Sequence, residues 1–245
     1  MLRTQAGRMI LWVAVVLLGL CTGQRGAWAE EEPSPGGETG PAGPVLRFHP
    51  AVEERVRTLL GGAGLDYPLR DGVSMLVFKQ EKRLEVWAHT GSGPRFLKQY
   101  PVLAMSGQAG PKRQQGDRQV PEGLYRIVWF NPNSAFHLSL KLDYPNAFDL
   151  RKAEEEGRTE PGGDIFIHGG AASTGCIAVG DAAIEELFVL TLMAGDGPAE
   201  VIIAPHDFRR KPIRMTRRGG PAWLPALYRE VADRLERYAV ASATD

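Results

Sequence analysis

Cysteine and histidine are the side chains in this sequence whose types and spacing could support covalent chemistry. Cys176 follows His168 by eight residues within the stretch DIFIHGGAASTGCIAVG. A cysteine attacks as its thiolate, and a nearby imidazole can accept the thiol proton and stabilise the sulfur anion. Glycines on both sides allow tight turns and close approach of a substrate to the backbone. The stretch predicts a nucleophilic cysteine with an accessible thiol and a lowered pKa.

Four small residues around this pair are candidates for positioning the substrate. The backbone N–H groups of Gly175 and Cys176 could donate to a tetrahedral oxyanion. Ser173 could orient the histidine or the substrate, and Gly169 and Thr174 complete the candidate set. A single cysteine in an apolar-flanked turn is also typical of a buried structural thiol, so the sequence keeps both interpretations open.

The cysteine count depends on the N-terminal segment. A positively charged start, an apolar run of 13 residues over 9–21 and a small-x-small site at 27–29 predict a signal peptide over 1–29. The apolar run is shorter than the ~20 residues of a membrane-spanning helix, and an uncleaved anchor is the alternative. Cleavage leaves 216 residues, a net charge of −3 and Cys176 as the one cysteine. That thiol then has no internal partner for a disulfide.

Composition excludes several classes of protein. The chain has 245 residues, of which 43% are hydrophobic and 24% are charged, with two cysteines. These values are ordinary for a globular protein and exclude a wholly disordered chain, a fibrous repeat and a disulfide scaffold. The full chain has a formal net charge of zero, which provides no basic field for nucleic acid. The histidines are scattered without metal-ligand spacing, so we predict no metal site.

The elements that would position the pair are mostly strands. Apolar and β-branched runs predict strands over 73–78, 84–88, 100–105, 124–130, 165–167 and 200–204, with a loop over 106–123. The helical patterns cover 50–60, which the glycines at 61–62 end, 182–194 with Asp181 as N-cap, and an amphipathic stretch over 225–240. We predict a mostly β fold with helical additions (α+β). The segment over 30–44 is predicted to be a disordered linker, because Glu, Pro and Gly dominate it.

Several motifs accompany the cysteine stretch and resemble one known family. They are GD at 116–117, VPEGLY at 120–125, NPNS at 131–134, HLS at 137–139, YPN at 144–146, FD at 148–149, GGDI at 162–165 and PIRMT at 212–216. Together with His168 and Cys176, they resemble the YkuD-type L,D-transpeptidases, most closely the YafK-like branch with its short spacing from histidine to cysteine. The resemblance covers roughly 73–216.

The resemblance implies a fold, a reaction and a set of partners. The fold would be a YkuD-like β-sandwich catalytic domain over 73–216, preceded by a helical lead-in over 45–72 and followed by a helical tail over 217–245. Cys176 would attack the L-centre carbonyl of a diamino acid, usually diaminopimelate, in a peptidoglycan stem peptide and form a thioester. His168 would act as general base and then acid. No metal or cofactor is expected, and the expected location is the periplasm.

Departures from the family pattern leave the acyl acceptor open. Thr174 stands where most members have a second histidine, and Ala178 and Val179 stand where many have Arg or Asn. Three functions therefore remain: transpeptidation, hydrolysis that releases a diaminopimelate-linked peptide or wall-linked lipoprotein, and a non-catalytic wall-binding module. No nucleic-acid partner and no transmembrane helix in the mature chain are expected.

Three further features have two interpretations each. The basic cluster over 209–218 would be a solvated face or a surface for anionic wall polymer or membrane. His137 would line the cleft or pack at the surface. Tyr125 would belong to the core or to the wall of the cleft.

Overall fold

The computed structural model describes residues 49–195, 197, 199–213 and 220–240. The predicted signal peptide over 1–29 and the linker over 30–44 lie outside the described residues, as do residues 214–218 of the basic cluster. The helices of the described part are α1 (Pro50–Gly62), α2 (Ala147–Glu155), α3 (Asp181–Met193) and α4 (Leu224–Leu235). Its strands are β1 (Val73–Phe78), β2 (Arg83–Ala88), β3 (Arg95–Pro101), β4 (Ala104–Met105), β5 (Gly123–Ser134), β6 (His137–Leu142), β7 (Phe166–His168), β8 (Ile177–Ala178) and β9 (Ala199–Ala204).

The strands form a mixed sheet in the order β3-β2-β1-β9-β5-β6-β7-β8-β4. The β1–β9 and β7–β8 pairs are parallel, and the other neighbours are antiparallel. The long β5 belongs to both halves of the sheet: its first residues pair with β9 and the later ones with β6. The second half, from β5 to β8, carries both His168 and the turn before Ile177.

Helices cover both faces of the first half of the sheet. Strand β1 is buried along its whole length, and its side chains alternate between two apolar clusters. Met75 and Val77 pack in the cluster that includes α1 and α3, whereas Leu76 and Phe78 pack with α4. Alternating side chains of a strand point to opposite faces, so a strand covered on both sides is apolar at nearly every position. The exception in β1 is Ser74, whose hydroxyl forms hydrogen bonds with His89 and Tyr238.

The structure confirms the α+β class with a short N-terminal helix and a C-terminal amphipathic helix. The latter ends at Leu235 instead of continuing to Val240, although Tyr238 beyond it is still buried. Asp181 begins α3 but is not its cap: Gly180 occupies the N-cap position, and no side chain caps the helix. The carboxylate of Asp181 instead accepts the N–H of Gly170 at 2.7 Å.

Sequence patterning missed α2 and β6 and most of β3. Helix α2 buries a single residue, Ala153, so it lacks the apolar periodicity that predicts a helix. Its start is instead stabilised by a capping box. The Asn146 side chain accepts the backbone N–H of Asp149, and the Asp149 carboxylate accepts the backbone N–H of Asn146. Strands β6 and β3 are each partly exposed, and charged residues interrupt their apolar positions.

A buried ion pair fixes the loop between β4 and β5. Lys79 lies 3.0 Å from Glu122 and also donates to the carbonyl oxygens of Gly110 and Val120. Glu122 accepts the hydroxyl of Tyr228 on α4 at 2.6 Å. Because removing one partner of a buried pair leaves an uncompensated charge, this network holds the loop in one conformation. The loop matters because Ser106, at its start, contacts the cysteine turn.

Candidate active site

The cysteine and the histidine lie on the same face of the second half of the sheet. Ser139 of β6 pairs with His168, and Ile167 pairs with Ile177. Continuing that register by one residue places Cys176 beside Phe166. Phe166 lies two residues before His168 in the same strand. Residues two apart on a strand share a face, so the thiol and the imidazole are diagonal neighbours on one surface.

The opposite face of these strands belongs to the core. Leu140, Ile167 and Ile177 have no exposed surface and pack in the cluster with α3. A shift of one residue in register would exchange this apolar row with the row that carries His168. Burial of the apolar row therefore determines that the histidine and the cysteine point away from the core.

A cleft of about 430 Å³ covers this surface. Its walls come from the β5–β6 hairpin on one side and from the turn before β8 on the other. The lining residues are Asn131, Ser134, Ala135, Phe136, Ser139, Phe166, His168, Ala172, Ser173, Thr174 and Cys176. Three predicted site residues besides the pair can be placed against it: Ser173 and Thr174 line it, and Gly175 is buried directly behind them.

His168 is held as a neutral base. It is 3% exposed, and its Nδ1 lies 2.6 Å from the carbonyl oxygen of Gly169. A carbonyl oxygen only accepts, so Nδ1 carries the proton and Nε2 keeps its lone pair. Burial lowers the pKa of His168, and the Gly169 carbonyl opposes that shift in part. The imidazole can therefore accept a proton at neutral pH.

The ring of Phe136 covers the imidazole. The two ring centroids are 4.6 Å apart with an interplanar angle of 35°, and Phe136 itself is 50% exposed. Phe136 lies in the turn of the β5–β6 hairpin, and the next residue, His137, contacts Glu185 of α3 at 2.9 Å. His137 thus contacts α3 outside the cleft and is absent from the cleft lining. Sequence reasoning did not single out Phe136.

Cys176 is half-buried, and its thiol is directed at a backbone carbonyl. The Sγ atom donates to the carbonyl oxygen of Asp164 at 3.6 Å. Burial raises the pKa of Cys176; the backbone N–H of Phe166 lowers it, the charge of Asp164 raises it and that of Lys112 lowers it. The predicted lowered pKa is therefore wrong, because desolvation outweighs the local donors.

The two groups are not yet engaged with each other. Among the residues that the structure describes, no hydrogen bond joins the Cys176 thiol to the His168 imidazole. Both side chains line the same cleft. Catalytic hydrogen bonds are often long before a substrate is bound.

The predicted oxyanion donors already have partners. The N–H of Gly175 donates to Oγ of Ser106 at 2.7 Å, and the N–H of Cys176 donates to Oγ of Ser173 at 3.1 Å. The Ser106 hydroxyl in turn donates to the carbonyl oxygen of Arg118. Sequence reasoning missed Ser106, which lies 69 residues from Gly175. Both N–H groups would have to exchange a hydroxyl for the substrate oxygen.

Glycines at two positions of this turn are required by geometry. Gly175 has φ of +87°, in the left-handed region that favours glycine. A Cβ atom at Gly169 would lie 2.6 Å from both the Asp181 carboxylate and the carbonyl oxygen of Phe136. Gly169 thus allows the hairpin and the start of α3 to approach the backbone next to His168.

The remaining candidates lie outside the cleft. Tyr125 is buried in the core and donates to Asp149 at 3.3 Å. In the basic cluster, Arg209 is not part of a solvated face, because its side chain is 5% exposed and contacts Glu85 and Asp207. Arg210 and Lys211 are exposed.

The described residues contain neither a metal-binding cluster nor a membrane-spanning helix. No group of three or more His, Cys, Asp or Glu side chains there is arranged to hold a metal ion. No helix in that part of the chain is long and apolar enough to cross a bilayer.

The raised pKa of Cys176 predicts how its alkylation depends on pH. Iodoacetamide reacts with the thiolate, so the rate should rise about tenfold for each pH unit from pH 7 to 9. Both values lie below the pKa of this thiol, which burial raises above its ordinary 9.0. The measurement is the rate of carbamidomethylation of the peptide that contains Cys176, followed by mass spectrometry. A fast rate that is constant between pH 6 and 8 would contradict it, because that is the behaviour of a thiolate–imidazolium pair.

Comparison with known families assigns the class of this domain. Residues 73–203 match a family model described as the L,D-transpeptidase catalytic domain. The matched range contains the strands beneath the cleft and both Cys176 and His168, so the class is that of a catalytic domain. The range is more than half of the chain, and the chain belongs to the YkuD family, whose model this is.

Two curated relatives and two solved structures are similar to the chain. The relatives are YafK proteins of Escherichia coli K12 and O157:H7, named provisionally as L,D-transpeptidases, each 31% identical over 150 residues. The alignment covers 59% of this chain and 58% of each relative, so the chain spans less than two thirds of their length.

The structures have lower similarity. The helical cell shape determining protein Pgp2 of Campylobacter jejuni is 22% identical, with 62% of this chain and 56% of that chain covered and a TM-score of 0.46. Bd1075 of Bdellovibrio bacteriovorus is 25% identical, with 56% and 49% covered and a TM-score of 0.40. Both TM-scores are below 0.5, so the match to the family model carries the assignment.

Proposed function

We propose that this protein is a cysteine-dependent L,D-transpeptidase that acts on diaminopimelate-containing peptidoglycan stem peptides. The observation that carries the proposal is the position of Cys176 and His168 on one cleft-facing side of a YkuD-family catalytic domain. The thiol is the nucleophile available in the cleft. The imidazole is neutral and has a free Nε2 lone pair, as proton transfer from a neutral thiol requires.

The acylation step follows from this arrangement. Nε2 of His168 takes the thiol proton as sulfur attacks the L-centre carbonyl carbon of the diamino acid. The carbonyl oxygen becomes an oxyanion, which the N–H groups of Gly175 and Cys176 stabilise in place of the Ser106 and Ser173 hydroxyls. The bond from carbon to nitrogen then breaks, His168 gives its proton to the leaving amine, and a thioester on Cys176 remains.

The second step regenerates the enzyme. An amine of another stem peptide gives up a proton to His168 as it attacks the thioester, and Cys176 leaves as a thiolate that recovers this proton. Attack by water in the same way gives hydrolysis. The half-exposure of Cys176 and the presence of exposed Thr174 instead of a second histidine leave water access to the thioester, which favours hydrolysis as the second candidate function.

The location follows from the substrate. Peptidoglycan lies outside the cytoplasmic membrane, and we propose that the predicted signal peptide over 1–29 exports the chain to the periplasm. A wall-linked lipoprotein is an additional candidate substrate of the hydrolytic reaction.

Mass spectrometry of the intact protein and its products tests the function. The purified protein is incubated with diaminopimelate-containing muropeptides, with and without a second muropeptide as amine acceptor. We expect an acyl adduct on the peptide containing Cys176 and a crosslinked product that depends on the acceptor. Shortened stems or freed peptide alone would assign hydrolysis. Absence of both adduct and product, with muropeptide binding retained, would overturn the enzyme proposal in favour of a wall-binding module.

A further inference from the structure

An exposed ion pair lies beside the thiol. Nζ of Lys141 is 2.8 Å from Oδ1 of Asp164, and the Asp164 side chain is 78% exposed. The carbonyl oxygen of the same Asp164 accepts the Cys176 thiol. The carboxylate also acts on the thiol electrostatically, since its charge contributes to the pKa of Cys176. This pair therefore belongs to the surroundings of the nucleophile.

Strand register places Lys141 beside Phe166 of the cleft lining, on the same face of the sheet. Trp129 pairs with Lys141, and Lys141 pairs with Phe166, which adjoins Cys176 in the neighbouring strand. Directly paired residues share a face of the sheet, so these four side chains form one row on the cleft side. Nζ of Lys141 lies 5.8 Å from the Phe166 ring centroid, and the rings of Trp129 and Phe166 are 6.5 Å apart.

The position of His168 decides which part of a substrate reaches this row. Asp164 and His168 lie on opposite sides of Phe166 along the chain, two residues away in each direction. His168 has to protonate the leaving amine, so the leaving group lies on the His168 side of the sulfur. The residue that becomes acylated onto Cys176 then extends toward Asp164 and Lys141.

We propose that Lys141 and Asp164 form a subsite for an acyl residue whose side chain ends in a zwitterionic head, with ammonium and carboxylate on one carbon. The ammonium lies against the Asp164 carboxylate and the carboxylate against Lys141, while Trp129 and Phe166 contact the aliphatic part. Exposed ion pairs are weak, so exchanging this pair for two intermolecular pairs costs little. The proposal rests on the proposed function and specifies the residue that the site selects.

Binding of matched peptides to a catalytically inactive variant tests the subsite. Cys176→Ala protein is titrated calorimetrically with three stem tetrapeptides whose third residue is diaminopimelate, its side-chain carboxamide or lysine. The carboxamide lacks the negative charge of the zwitterionic head, and lysine lacks the carboxylate altogether. We expect the diaminopimelate peptide to bind about fivefold more tightly than either analogue, the size expected for a partly exposed charge pair.

Substitutions in the pair should remove the preference selectively. Lys141→Met should bind the diaminopimelate, carboxamide and lysine peptides with equal affinity. Asp164→Asn should weaken the three peptides alike, because all of them retain the ammonium, and asparagine tolerates the positive φ of 56° found here. The matched control is Lys152→Met, which breaks the exposed Lys152–Glu155 pair on α2 and should leave all affinities unchanged.

Two outcomes separate this proposal from the proposed function. If the protein with an intact thiol forms the acyl adduct but Lys141→Met in the Cys176→Ala background still binds the diaminopimelate peptide about fivefold more tightly than the two analogues, the subsite is wrong and the function stands. If neither adduct nor peptide binding is observed, the function itself is overturned, and the subsite with it. If the Cys176→Ala protein with Lys141 and Asp164 unchanged bound all three peptides with equal affinity, Lys141–Asp164 would be an ordinary surface ion pair.

Discussion

Replacing Cys176 by alanine is expected to abolish the acyl adduct and to lower kcat on the order of 10⁶-fold, the loss typical of removing a covalent nucleophile. The thiol is the one sulfur atom in the cleft lining, and alanine offers no atom that could form a thioester. The measurement is turnover of diaminopimelate-containing muropeptides, with the adduct followed by intact mass.

The substitution should leave the fold unchanged. Cys176 is half-buried and its thiol makes one weak hydrogen bond to a backbone carbonyl, so the free energy of unfolding should change by less than about 1 kcal/mol. The matched control is Leu150→Ala, an exposed apolar residue on α2, which should keep full activity. Turnover by Cys176→Ala at even a hundredth of the normal rate would contradict the assignment of the nucleophile.

Replacing His168 by glutamine is expected to reduce kcat/KM by about 10³-fold, within the range of general acid–base catalysis. A glutamine amide can still donate to the Gly169 carbonyl, but it cannot accept the thiol proton. The normal protein should lose activity only below pH 6.5, because burial lowers the pKa of His168 and the neutral imidazole is the active form. His168→Gln should lack this decrease at acidic pH. The measurement is kcat/KM across pH 4 to 9.

A second histidine on the neighbouring strand provides the control. His137→Gln removes an imidazole that is 43% exposed and contacts Glu185 outside the cleft. Its activity should stay within twofold of normal, with the decrease at acidic pH retained. If His168→Gln kept that decrease, the titrating base would be another group.

The raised pKa of Cys176 and the lowered pKa of His168 act together. Both shifts favour the uncharged forms, so a neutral thiol and a neutral imidazole coexist over a wide range around pH 7. The nucleophile would then be generated when substrate and imidazole meet the thiol, and not stored as a thiolate. In the proposed periplasmic location, a neutral thiol would resist modification until a substrate binds, since the thiolate is the form that is oxidised and alkylated.

Local residue patterns determined much of the fold and singled out Cys176 and His168 as the candidate pair. Strand β1, the strand that leads into His168, and helices α1, α3 and α4 each bury a patterned apolar surface that can be recognised within one segment. Helix α2 could not be found in this way, because capping hydrogen bonds and not apolar periodicity define it. The cysteine turn was recognisable because its glycines and small residues are consecutive.

Tertiary structure alone decided the surroundings of the pair. Ser106 reaches Gly175 across 69 residues of sequence, and Lys141 reaches Asp164 across 23. Such contacts depend on strand register, which burial of Leu140, Ile167 and Ile177 sets for the whole sheet at once. The direction of the Cys176 pKa shift is also a tertiary property, because desolvation depends on how many atoms from distant segments surround the sulfur. The sequence by itself determined which residues are candidates for the reaction, and packing decided the direction of their pKa shifts and their neighbours.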